Sequence, residues 1–136
     1  MGKTLTLRGR IKSGQIKRLI VDDGRLTHGV KVKRFSAVPV VGAPGATVNA
    51  TLGLLNRFPV LQDFSDNRQI AWSGSQTAFD GFNLIDPDHI AINDLYVSGL
   101  NSAGEDINYW VELEAKTISD YEAIVQLTKA RAQDDL

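Results

Sequence analysis

The sequence predicts a mainly β chain: one antiparallel β-sandwich domain of seven or eight strands over residues 1–136, followed by a single C-terminal helix at about 119–132. Three observations predict it. Apolar and polar residues alternate with period two in Thr4–Lys12 and again in Ile107–Thr117, the period of a half-buried strand. Short β-rich runs are separated by clusters of Gly, Pro, Asp, Asn and Ser at the spacing of an all-β sandwich or closed barrel. The one well-marked helix start lies near the end, where Ser119-Asp120-Tyr121-Glu122 has the form of a capping box.

The elements follow in order. Thr4–Lys12 places Leu5, Leu7, Gly9 and Ile11 on one face and Thr6, Arg8, Arg10 and Lys12 on the other. Ser13-Gly14 reads as a two-residue hairpin loop, with Gln15–Val21 as the returning strand. Asp22-Asp23-Gly24 is a turn, because Asp tolerates and Gly readily adopts positive φ. Val30–Val41 is a long β-rich run, and Pro39 near its end places it at an edge or a break. After the loop Gly42–Gly45 comes a strand at Ala46–Leu55. Asn56–Arg68 is irregular and is expected to order on assembly. Gln69–Ser73 is a short strand around Trp72, Gly74–Gly81 an exposed loop, and Asn83–Ile85 another strand. The turn Asp86-Pro87-Asp88 leads into His89–Leu100, which supplies one or two strands. In Ile107–Thr117, Tyr109, Val111, Leu113 and Ala115 face one way, and Trp110, Glu112, Glu114 and Lys116 face the other. The helix presents Tyr121, Ile124, Val125 and Thr128 as a narrow apolar stripe.

Charge is sorted along the chain. Residues 1–35 carry ten Lys and Arg against Asp22 and Asp23, and residues 86–136 carry eleven Asp and Glu against Lys116, Lys129 and Arg131. The near-neutral total of −1 therefore hides a basic end and an acidic end. Three uses are open: pairing within one fold, pairing between copies, or presentation of the basic end to a polyanion. The candidate basic contact face is Arg8, Arg10 and Lys12 with Lys31 and Lys33, each set at the i, i+2 spacing that shares one side of a strand. The candidate acidic intersubunit face is Glu112, Glu114, Asp120 and Glu122.

Several chemistries have little to stand on. With no Cys there is no disulfide, thiolate zinc site or Cys nucleophile. Met1–Leu5 lacks the apolar run of a signal peptide, and no stretch approaches the length of a membrane-spanning helix. Asp86, Asp88 and His89 could ligate one ion, but Asp-Pro-Asp is also a common way to turn a chain into a strand, and there is no second His or Cys cluster. Glu112 and Glu114 point the same way and could serve as paired carboxylates; alternating with apolar residues, such a pair is more commonly a solvated face. No nucleophile elbow or phosphate-binding glycine loop is present, and the expectation is no enzyme, no metal and no cofactor. A single-strand binder stacks bases on exposed aromatics, and the basic third contains only Phe35.

Five blocks carry a resemblance: Gln69–Trp72, Leu84–Ile90, Asp94–Val97, Asn108–Glu114 and Ile118–Ile124. They resemble small virion proteins of marine bacteriophages, and Arg18–Gly24 resembles the same group less closely. The resemblance implies a non-enzymatic structural role in the virion as a capsid, coat or decoration subunit made in the host cytoplasm. Its partners would be copies of itself and other virion proteins, with non-specific contact to packaged nucleic acid. A jelly-roll form of the sandwich agrees with it, because jelly rolls recur in capsids. The alternative, from the residues alone, is a small sequence-independent nucleic-acid-binding β-barrel that uses the basic third.

Overall fold

A computed structural model of the chain describes residues 4–20, 28–40, 46–75, 81–87, 89–92 and 94–117. The expected helix at 119–132, with Asp120 and Glu122, lies outside the described residues, as do the turn at 22–24, the loop at 42–45 and Asp88.

Nine strands form among the described residues: β1 (Thr4–Ile11), β2 (Ile16–Leu19), β3 (His28–Pro39), β4 (Val48–Gly53), β5 (Gln69–Ser75), β6 (Gly81–Ile85), β7 (Ile90–Ala91), β8 (Leu95–Asn101) and β9 (Ile107–Thr117). They make two antiparallel sheets, one ordered β1-β9-β3-β7 and the other β2-β8-β4-β5-β6. A single apolar cluster drawn from both sheets lies at the centre, with Phe35, Leu52, Ile70, Leu95, Ile107 and Leu113 fully buried. β3 and β9 keep period two because one face meets this core and the other meets water, whereas β4, β5 and β8 are buried at most positions.

The pairing is nested. β1 pairs with β9, β2 with β8, β3 with β7 and β4 with β5. Early strands thus find their partners late in the chain. This order corrects the hairpin expected at Ser13-Gly14. A turn does form there, with Gln15 N donating to Lys12 O at 3.0 Å and Gly14 at φ 81°. However, the turn docks on β8: Gly14 N donates to Gly99 O at 2.9 Å, and Asn101 N donates to Ser13 Oγ at 2.8 Å. β1 and β2 therefore pass into different sheets instead of pairing with each other. Alternation fixes which face of a strand is apolar and leaves its partner open.

Two details set the surfaces. β3 carries a bulge between Val32 and Arg34 in its pairing with β9. The extra residue leaves Lys33 and Arg34 both exposed and returns Phe35 and Ala37 to the core. Secondly, β5 is buried at every position because its outer side is covered too. Segment 54–68 is irregular, as its sequence predicts, yet it is tied down on the sheet. Gln62 N donates to Thr51 Oγ1 at 3.2 Å, and Gln62 Nε2 donates to Ala50 O at 2.9 Å and to Ser73 O at 3.2 Å. Gln69 holds the segment from below: its Nε2 donates to Val60 O at 2.7 Å, and its Oε1 accepts from Asp63 N and from Trp72 Nε1. Phe64 meets the Trp72 ring edge-on at 4.9 Å.

Candidate binding face

The outer side of the four-stranded sheet brings the charged candidates together. Directly opposed residues of an antiparallel pair share a face. The register therefore lays out rows across three strands: Thr4–Glu114–Lys31, Thr6–Glu112–Arg34, Arg8–Trp110–Ser36 and Arg10–Asn108–Val38. The basic strands β1 and β3 flank the acidic strand β9, so residues from both charged ends of the sequence meet on one sheet face.

The two ends of this face differ. At one end, Arg34 Nε lies 3.0 Å from Glu112 and Lys33 Nζ lies 3.7 Å from Glu114, which also binds Lys116. The hydrogen bond from Lys116 is the main reason the Glu114 carboxyl is held below its usual range; the charges of Lys116, Lys33 and Lys31 add to it and desolvation opposes it. At the other end, Arg8 and Arg10 have no carboxylate partner among the described residues. The Arg8 guanidinium lies instead over the Trp110 ring, 5.7 Å from its centroid. Here the face sinks into an open concavity of about 530 Å³ lined by Arg8, Arg10, Ser36, Val38, Asn108 and Trp110. Trp110 is 38 % exposed within it. Lys12 sits exposed just past the ladder, in the turn after β1.

Ser36, Val38, Asn108 and Trp110 were not legible as site residues. Trp110 carried a signal, since alternation puts it on the outer face, but only the β1–β9 register shows that Arg8 lies opposite.

The remaining candidates fall elsewhere. Glu112 and Glu114 do share a face, and each is already engaged by a cation. His89 is buried, with Nδ1 4.0 Å from Asp86. Among the described residues no group of three His, Asp or Glu side chains could hold a metal ion, and no helix is long and apolar enough to cross a membrane.

The second surface is apolar. On the outer side of the five-stranded sheet, Leu84 pairs opposite Trp72 and Phe82 opposite Gly74. The Phe82 ring lies so close over Gly74 that a Cβ there would stand 2.5 Å from it. Phe64, Phe82 and Leu84 are 59 %, 44 % and 48 % exposed, so an apolar strip runs beside β6, the edge strand of its sheet. Against protein-family models and curated proteins, the chain finds no match.

Proposed function

We propose that the chain is a non-enzymatic virion structural subunit, a capsid, coat or decoration component that associates with copies of itself or with other shell proteins. The observation that carries this reading is the nested strand order. With β6 set aside as an added edge, the pairs β1–β9, β2–β8, β3–β7 and β4–β5 are those of one long hairpin rolled into two four-stranded sheets, a jelly-roll sandwich. That architecture recurs in capsids, and the sequence blocks resembling phage virion proteins point the same way. The Phe64–Phe82–Leu84 strip beside an open strand edge supplies a surface that a neighbouring subunit would cover.

The test is the mass of the purified protein in solution at low and high salt, with electron microscopy of the same samples. Defined rings or shells are expected, and Leu84→Glu should shift them toward the monomer. A monomer at every concentration and salt overturns self-association.

A second reading has one observation in its favour. Arg8 and Arg10, without a carboxylate partner among the described residues and beside an exposed Trp, suit sequence-independent contact with nucleic acid. In that case binding to a long DNA falls steeply with salt, and substitution of Arg8, Arg10 and Lys12 flattens the slope by roughly one unit per lost phosphate contact.

A further inference from the structure

The concavity at Arg8, Arg10 and Trp110 has the make-up of a small-ligand site, and we infer that it binds a single carboxylated sugar ring. Its volume of about 530 Å³ falls within the range of small-molecule sites, roughly 300–1,000 Å³. Its two rows of three side chains span about 7 Å along the strands and about 10 Å across them, which matches one six-membered ring with its substituents. The chemistry is mixed in a specific way. Trp110 and Val38 offer apolar surface for the C–H face of a pyranose. Asn108 and Ser36 supply donors and acceptors for hydroxyls. Arg8 and Arg10 present two planar guanidiniums, the group that pairs bidentately with a carboxylate.

The neighbouring residues bound the site. Along β9 past Trp110 come Glu112, about 7 Å on, and Glu114, about 14 Å on. Both are already engaged by Arg34, Lys33 and Lys116, so that end of the face consists of closed ion pairs and offers no continuous track of open cations. The row partner of Trp110, Ser36, has no ring to continue a base stack. Arg8 and Arg10, without a carboxylate partner among the described residues, thus lie within the span of one anionic ring. Such a site would give a shell subunit a means of gripping acidic glycans, although the inference stands on the concavity alone and does not require the shell role.

The experiment titrates the intact protein with sodium glucuronate, glucose and adenosine monophosphate, followed by Trp fluorescence and amide NMR. The expected result is saturable glucuronate binding with Kd of about 1 mM, at least about tenfold tighter than glucose, with shifts at Arg8, Asn108 and Trp110. Trp110→Ala, and separately the double variant Arg8→Gln/Arg10→Gln, should each weaken it by about tenfold or more while keeping the melting temperature of the parent. Should Trp110→Ala fail to fold, the Arg double variant decides. The inference is overturned if glucuronate does not saturate, if glucose or adenosine monophosphate binds as tightly, or if the folded variants bind glucuronate as the parent does.

Discussion

The two ends of the outer face of the four-stranded sheet carry similar cations and differ in what answers them. Around Glu112 and Glu114, the basic groups Lys33, Arg34 and Lys116 are taken up by carboxylates. Two rows further along the same strands, Arg8 and Arg10 face Trp110 and Asn108 instead. Counting charge along the chain treats these cations alike. Strand pairing separates them, because β9 offers acids at one end and an indole and an amide at the other. A basic strand thus keeps its cations open on the surface where its partner strand withholds carboxylates, as the described residues at Arg8 and Arg10 show.

The comparison breaks most completely if the face loses the core beneath it. Phe35 lies just past the β3 bulge, opposite Val111, and is fully buried. Truncating a buried Phe costs about 3–5 kcal/mol, so Phe35→Ala should lower stability by that amount in urea melts and loosen both ends of the face together. The next effect comes from the cover over β5. Gln62→Ala removes two hydrogen bonds to buried carbonyls and should lower stability by about 1–3 kcal/mol while leaving the charged face unchanged, as read by denaturant melts and glucuronate titration.

Acid sharpens the comparison further. Burial alone would raise the Asp66 carboxyl, but hydrogen bonds and charge from Arg68 outweigh it and hold it below its ordinary value. A carboxyl lowered in the folded state leaves the unfolded chain binding more protons, so its contribution is present above the unfolded pKa and is lost as pH falls through the folded one. Asp66→Asn should therefore lower stability at neutral pH and reduce its dependence on pH below about 4. Glu114, half-buried and lowered chiefly by the hydrogen bond from Lys116, behaves with the same sign, and because its ion pairs face water Glu114→Gln should barely move the melting temperature. The smallest effect on stability is the most informative about function. Glu112→Gln frees Arg34 at the paired end; it should change stability by less than about 1 kcal/mol yet steepen the salt dependence of any polyanion binding by about one unit.

Much of the fold was legible because β9 and β1 alternate cleanly, and the buried side of Ile107–Leu113 is the one that alternation assigns. Ala115 is exposed where the pattern would bury it. The turn at Ser13-Gly14 was legible, and its destination was not, because the bonds that steer it come from Gly99 and Asn101, far along the chain. β5 hides its period because segment 54–68 covers its outer side, so Gln69–Ser75 gives no hint of the sheet's direction. Of the site, the cations were legible as a basic stripe. The concavity was not, because it depends on which residues of β9 and β3 fall opposite Arg8 and Arg10.

The nested pairing also dictates when this chain can fold as it leaves the ribosome. β1 waits for β9, β2 for β8, and β3 for β7 and β9, while β4 is the earliest to gain a partner when β5 emerges. Throughout synthesis of the first half, the basic strands hang unpaired, and the sheet that will neutralise part of their charge closes only with the last strand. Assembly by such distant pairings is slow, on the scale of milliseconds to seconds. The segment up to β6 is thus strongly cationic as it emerges, and part of its charge is answered only when β9 follows.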